Sequence, residues 1–212
     1  MPPGRPNARC GPSPSDQVVA RSRTVIVSGA GIGGLTAALA LAAKGFRVVV
    51  VEQAARLEET GAGIQLSPNA TRILVALGLG DRLAPVVVAP EAVRVRSYRG
   101  RELVRVPLGA SAERRYGSPY WVVHRGDLQA ALLGAVRANS DIALRLGARA
   151  EDFAVHAKGV TVQTRTAAGA QDEHGIALIG ADGLWSPLRM RLGDARPPRF
   201  AHRTAWRAVL PA

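Results

Sequence analysis

TVIVSGAGIGGLTAALALAAKGFRVVVVE, residues 24–52, reads as strand, glycine turn, helix and second strand, closed by one acidic residue. Val25, Ile26 and Val27 form a short β-branched run that is apolar on both faces, the pattern of a strand buried in a parallel sheet. The turn follows at once as Gly29, Ala30, Gly31, Ile32, Gly33 and Gly34, with Gly29, Gly31 and Gly34 in the G-x-G-x-x-G spacing. That spacing permits a tight turn, lets a pyrophosphate approach bare backbone, and brings helix and strand close together. The N–H groups and positive dipole end of the helix that follows favour an anion. Residues 35–43 are strong helix formers, and Gly45 is placed to stop them. Residues 47–51 make the second strand, and Glu52 comes about 20 residues after the glycines, where a carboxylate reaches ribose hydroxyls. Together these features predict a dinucleotide site. The alternative is a glycine-rich turn in another kind of α/β protein.

The chain has 212 residues, enough for a core of one large domain or one and a half. A net charge of +12 first points to nucleic acid or an anionic surface. The placement of that charge argues otherwise. Arg5, Arg9, Arg21 and Arg23 crowd the beginning of the chain, and Arg189, Arg191, Arg196, Arg199, Arg203 and Arg207 crowd its end, leaving only a small excess between. There is no long basic helix, no basic strand interleaved with aromatics and no zinc-finger spacing, so no nucleic-acid partner is expected. Lys44 and Lys158 are the only lysines, a coding bias and not a binding signal. Cys10 is the single cysteine, so no internal disulfide is possible, which fits a reducing cytoplasm. The four histidines, His124, His156, His174 and His202, show no paired metal spacing, and no metal is expected. The apolar stretch up to Ala43 is broken by glycines, Ser28, Thr36, Lys44 and Arg47. It is neither a signal peptide nor a membrane anchor, and no membrane partner is expected.

Residues 1–23 carry scattered prolines and too little apolar surface to fold alone, so a disordered leader is expected. After Glu52, Gln53 opens a polar connection to GAGIQLSPNA, residues 61–70, which contains Gly63. Ser67 before Pro68 is a good helix start, the serine capping and the proline suiting the first turn. Ile73, Leu74 and Leu77 would form that helix's apolar face, closed by Gly78 or Gly80. Val93, Val95 and Tyr98 alternate with arginines, Gly100 turns the chain, and residues 103–108 return it, a hairpin with one wet face. Residues 109–119 read as a polar, mobile link. Residues 120–123 make a short strand, and HRGDLQAALLGAV a helix with Leu128, Ala131, Leu132 and Val136 on one face. Residues 142–146 make another strand. A β-meander is predicted from residues 151–156, 160–166 and 176–179. The last of these runs into GADGLWSPLR, residues 180–189, where a strand delivers Asp182 and Gly183 to the carboxyl edge of the sheet, the ligand-binding edge of open α/β folds. Asp-Gly is also a common hairpin turn, but Ser186 and Arg189 follow where a capped helix would start.

Three motifs in this order resemble those of the flavin-dependent aromatic hydroxylases, single-component monooxygenases of the p-hydroxybenzoate hydroxylase fold, and most of all their salicylate hydroxylase branch. GAGIGG at 29–34 with Glu52 resembles the family's site for FAD pyrophosphate and ribose. HRGDL at 124–128 resembles the motif whose arginine reaches the ribityl and phosphate region, which assigns that role to Arg125. ALIGADGLWSPLR at 177–189 resembles the aspartate-glycine motif, linked to FAD and to passing NADH or NADPH; Trp185 departs from it where a charged residue is usual. GAGIQLSPNA resembles a segment lying close to the isoalloxazine ring.

The resemblance implies an α/β fold: a Rossmann-like FAD-binding βαβ domain with a β-meander, plus an incomplete β-sheet substrate domain. The expected division is 24–90 and 120–190 for the FAD-binding domain, and 91–119 and 191–212 for part of the substrate domain. The implied FAD-binding residues are Gly29, Ala30, Gly31, Ile32, Gly33, Gly34, Glu52, Gln53, Gly63, Arg125, Asp182 and Gly183. The implied activity is NAD(P)H-driven insertion of one oxygen atom from dioxygen into a small, salicylate-like aromatic substrate through a flavin hydroperoxide. Side chains alone cannot activate dioxygen, so the cofactor must carry that chemistry. No catalytic residue is singled out. His202 reads as an exposed histidine, and His124 as the end of a strand beside Arg125. The family's later glycine-aspartate motif is absent, since Gly193-Asp194 lacks its context, and TAWRAVLP at 204–211 resembles the opening strand of the substrate-domain sheet. The expectation is an amino-terminal half, inactive alone if half the pocket is missing. Two alternatives stay open: another FAD or NAD(P) oxidoreductase such as a halogenase or reductase, and a non-catalytic nucleotide-binding remnant.

Overall fold

The computed structural model describes residues 23–57, 62–194 and 196–204. Residues 1–22 of the expected leader, Cys10 among them, Gly61 and all but the first residue of TAWRAVLP lie outside them. In chain order the elements are β1 (Thr24–Ser28), α1 (Ile32–Ala42), β2 (Arg47–Glu52), β3 (Gly63–Leu66), α2 (Pro68–Ala76), α3 (Gly80–Leu83), β4 (Val87–Val88), β5 (Ala92–Arg96) and β6 (Glu102–Pro107). They continue with α4 (Gly109–Tyr116), β7 (Trp121–His124), α5 (Arg125–Arg137), β8 (Ile142–Leu146), β9 (Arg149–His156), β10 (Gly159–Thr166), β11 (Gly169–Gly175), β12 (Ala177–Gly180) and α6 (Pro187–Arg191).

The centre is a four-stranded, all-parallel sheet in the order β12-β1-β2-β8. Its strands are apolar on both faces because both faces are covered, as parallel sheets require. Val27, Val48 and Val50 pack with Leu35 and Leu39 of α1 and with Leu128, Leu132 and Val136 of α5 in one core. Ile26 and Val51 point the other way, into a second core with Val160 and Val162 of the antiparallel β9-β10-β11 meander and Leu188 of α6. The sheet is thus the middle layer between helices and meander. Two smaller sheets, β3-β7-β4 and the β5-β6 hairpin, complete the described residues.

Several local expectations need correction. Residues 109–119 are not a mobile link: residues 109–116 form α4, which buries Ala112 and ends on Gly117 at φ +72°. Good helix formers outweigh the small polar residues there. The third meander strand is β11 and not residues 176–179, of which 177–179 instead join the parallel sheet within β12 beside β1. Ser67 stands at the N-cap of α2 without a side-chain cap, its hydroxyl turning to Asn69 Oδ1. Ile73 is exposed, while Thr71 of the same helix is fully buried, its hydroxyl bonded to Ser118 and to the Pro119 carbonyl. In the hairpin, Val93 faces Val106 and Val95 faces Val104, so one face carries four valines. They remain between 39% and 50% exposed, so this face is open and not the dry side expected of a half-buried hairpin. Beyond α6, residues 192–194 and 196–204 contain neither helix nor strand. Asp194 pairs with Arg196 at 2.8 Å, and that hydrogen-bonded guanidinium holds its carboxyl below the usual range.

Candidate functional site

The carboxyl ends of β1, β2 and β12 meet at one edge of the parallel sheet, and a cavity of about 320 Å³ opens there. Its lining includes Ser28, Gly29, Gly31, Glu52, Gln53, Arg149, Asp182, Gly183 and Trp185. Sequence spacing predicts most of these, and the fold brings them together.

The glycines of the loop have different duties. Gly29 has φ +104°, and its N–H donates to the Val51 carbonyl at 2.8 Å. A Cβ on Gly29 would lie 2.3 Å from the Ala181 carbonyl oxygen, and one on Gly34 would lie 1.8 Å from the Gly29 carbonyl oxygen. These two glycines let β1, α1 and the turn after β12 touch. Around Gly31 and Gly33 a Cβ would meet nothing within 4 Å. The loop is therefore packed on one side and bare on the other. No side chain caps α1 at Gly31, and its first turn has no acidic residue. The first N–H groups of a helix have no intrahelical partner, so this end offers donors and a partial positive charge. Ala30 is fully buried and contributes backbone alone.

Glu52 ends β2 with its side chain turned back on the loop. Its Oε2 accepts the Ala30 N–H at 2.7 Å, and its Oε1 accepts the Ala54 N–H at 2.8 Å. The sequence predicts a carboxylate facing ribose hydroxyls; the structure adds that it braces the glycine loop. Each oxygen keeps lone-pair capacity for a further donor.

Asp182 and Gly183 follow β12, with Gly183 at φ +82°. Ser186, buried at the N-cap of α6, donates its hydroxyl to Asp182 Oδ2 at 2.8 Å and accepts the Arg189 N–H at 2.9 Å. One hydroxyl thus ties the Asp182 carboxylate to the helix start. Arg149 has no sequence signal as a site residue, because the first residue of β9 reaches this edge only through the β2-β8-β9 path. Trp185, exposed at the rim, stands where the sequence motif departs from its pattern.

Six predicted residues fall outside this lining: Ala30, Ile32, Gly33 and Gly34 of the loop and the start of α1, and Gly63 and Arg125 at the β3-β7 end. Gly63 of β3 pairs with His124 of β7, and the Arg125 N–H donates to the Ala62 carbonyl at 3.1 Å. Gly63 and Arg125 are thereby neighbours, but neither lines the glycine-loop cavity. Ile32 and Gly33 open α1 outside the lining. His124 ends β7 as expected, and His202 is exposed, edge-on to Phe200 at 5.1 Å. Among the described residues no group of three or more His, Cys, Asp or Glu could hold a metal ion, and no helix is long and apolar enough to cross a membrane.

This geometry has counterparts among known proteins. The sequence profile of the family described as "FAD binding domain" matches residues 22–209. The chain is 37% identical over 192 residues to 3-hydroxybenzoate 6-hydroxylase 1 of Aquipseudomonas alcaligenes, covering 89% of this chain and 47% of that protein. It is 41% identical over 177 residues to the phenazine 1,6-dicarboxylic acid hydroxylase PhzS of Lysobacter antibioticus, covering 81% of this chain and 43% of that protein. The chain thus spans about half the length of the curated relatives it matches. Among solved structures, Klebsiella pneumoniae HpxO in complex with FAD superimposes with a TM-score of 0.67 at 33% identity, covering 78% of this chain and 41% of that one. Aklavinone-11 hydroxylase with FAD and aklavinone gives a TM-score of 0.70 at 29% identity over 80% of this chain and 34% of that one. The glycine loop, the braced Glu52 and the Asp182-Gly183 turn lie within the matched residues, and the chain belongs to the FAD binding domain family.

Proposed function

We propose that this protein takes part in NAD(P)H-driven monooxygenation of a small, salicylate-like aromatic substrate, with FAD held at the glycine-loop cavity. The observation that carries the reading is the convergence there of bare backbone at Gly31, the uncapped start of α1, Glu52, and the Asp182-Gly183 turn. These residues fit the group. The open side of the loop admits a pyrophosphate onto the helix N-terminus, the Glu52 carboxylate has capacity left for ribose hydroxyls, and Gln53 lies beside it. Arg125 would meet the ribityl and phosphate part, and Gly63, adjacent to it across the β3-β7 end, belongs to the segment that would lie close to the isoalloxazine ring. Asp182, held by Ser186, completes the far wall. When bound, FAD supplies the redox and oxygen chemistry that side chains lack. The chain's own contribution is to bind, to orient and to exclude water. The expected domains, 24–90 with 120–190 and 91–119 with 191–212, and the cytoplasmic location belong to the same reading.

The test is reconstitution: the chain, mixed with excess FAD and desalted, is expected to stay yellow with a protein-bound flavin spectrum. A colourless product would overturn the proposal. A second reading, binding of FAD without productive hydroxylation, is favoured by the exposed valine face of β5-β6. It predicts NAD(P)H consumption that yields hydrogen peroxide and no hydroxylated product, even with salicylate present.

A further inference from the structure

Residues 91–117, which carry the β5-β6 hairpin and α4, are closed on themselves. The Leu108 N–H donates to the Glu91 carbonyl at 2.7 Å, so the hairpin's open end is tied. Gly109, at φ +56°, turns the chain so tightly there that a Cβ on it would lie 3.6 Å from the Glu91 Cα. The Arg94–Glu102 ion pair and the Ser97–Arg101 hydrogen bonds also run within this stretch. Among the described residues, neither core takes a side chain from it. It meets the rest of the molecule where α4 lies beside α2. Even there the contact is incomplete, because a recess of about 550 Å³ opens between the start of α2, the end of β6 and α4.

One buried polar group spans the junction. Thr71 of α2 is fully buried, and its Oγ1 lies 2.6 Å from the Pro119 carbonyl oxygen, 2.9 Å from Ser118 Oγ and 3.4 Å from the Pro68 carbonyl oxygen. A threonine hydroxyl has a single proton. A carbonyl only accepts, so the shortest contact, to Pro119, takes that proton, and the buried Ser118 hydroxyl donates to Thr71. Both protons are then used. The two gripped residues sit where the self-closed stretch ends: α4 stops on Gly117 at φ +72°, and β7 begins at Trp121, paired with Leu66. Between them Tyr120 is tied to the core side, its hydroxyl donating to Gln65 Oε1 at 2.8 Å. At the other junction, residues 89–91 are neither helix nor strand. A few loop or element-end residues of this kind are enough for a hinge.

We propose that residues 91–117 move as one body hinged at both ends, and that Thr71 is the latch that holds this body against α2 and sets the width of the recess. The proposal is independent of the monooxygenase reading. The donor assignment ranks the changes that would release the latch. Thr71→Val, of nearly the same shape, leaves the Ser118 hydroxyl and the Pro119 carbonyl buried without their partner. Ser118→Ala removes one bond and leaves Thr71 still donating to Pro119. Thr71→Val is therefore the more damaging of the two, since an orphaned buried group costs more than a bond deleted with its donor.

The experiment is native-state hydrogen exchange of the full chain, read by mass spectrometry on peptides from 92–107, 109–117, β1 and β10. In the unaltered chain the first two are expected to open together and faster than β1 and β10. Thr71→Val should speed both by about tenfold and Ser118→Ala by about threefold, with β1 and β10 changed by less than about twofold. Thr71→Ser keeps the hydroxyl and should restore the original rates. Separate opening of the hairpin and α4, no acceleration in 109–117, equal acceleration in β1 and β10, or a Thr71→Ser chain that behaves like Thr71→Val would each overturn the proposal. Should Thr71→Val fail to fold, the unaltered chain still decides whether 91–117 opens as one body, and Ser118→Ala still decides whether the latch controls it.

Discussion

Gly31 and Gly34 look alike in the sequence, yet alanine at the two positions should behave oppositely. At Gly34 a methyl group would meet the Gly29 carbonyl oxygen at 1.8 Å, inside a packed strand-helix contact. Gly34→Ala should therefore destabilise the fold by about 1–3 kcal/mol or more, read as a lower urea midpoint. Gly31 has an extended backbone at φ −68° and open space around it. Gly31→Ala should leave stability within about 0.5 kcal/mol and instead weaken FAD, because the methyl occupies the side a phosphate would approach. Equal effects of the two changes on folding would refute this division of labour. Glu52→Gln replaces an acceptor with an amide nitrogen opposite either the Ala30 or the Ala54 N–H, leaving one donor facing another. The cost should be about 1–3 kcal/mol, measured by denaturant unfolding in the absence of FAD. Spacing alone places Glu52 at the site. Its grip on Ala30 and Ala54 is not legible there, because that depends on where two backbone N–H groups point once the turn has closed.

Among the elements, those with strong periodicity are legible in the sequence and those without are not. Leu128, Leu132 and Val136 mark the buried face of α5 by their spacing alone. The helix α4 has only Ala112 buried, so its letters carry no face to recognise. The strand β11, GAQDEHG, has almost no apolar residue; it is a strand because its backbone pairs with β10 along its full length. The meander's true third member is thus hidden, and apolar pattern points to residues 176–179 in its place. At α6 the reading of Ser186 as a cap holds, and the cap has a second partner in Asp182. Ser186→Ala should cost about 1 kcal/mol through the lost cap, and FAD affinity should fall with it as Asp182 loses its tether. Ser186→Thr keeps the hydroxyl and should restore both; rescue of stability without rescue of FAD binding would show that the tether is irrelevant.

Across the whole molecule, the three layers around the parallel sheet are self-sufficient, while the β5-β6 hairpin is not. A two-stranded hairpin is marginal alone, and its four valines lie open on one face. Apolar strand surface of this kind invites association. Val95→Lys should therefore reduce self-association in sedimentation velocity without changing the far-UV spectrum, and an unchanged distribution of species would show that the valine face is inert. The sequence discloses the hairpin but not its isolation, since one strand pattern reads the same whether or not another layer covers it.

The order β12-β1-β2-β8 also governs when the cavity can exist. β1 pairs with β12 across about 150 residues of chain, through the register Val25–Ala177 to Ser28–Gly180. At a synthesis rate of roughly 5–20 residues per second, Gly180 follows Ser28 by about 8–30 seconds, so a nascent chain carries its glycine loop for that long before the Asp182 wall can be made. The loop and Glu52 can be assembled early by near neighbours, but the chamber they belong to is one of the last features of the parallel sheet to close. Nucleotide capture is thereby tied to completion of the parallel sheet, and an unfinished chain has no chamber in which to hold it.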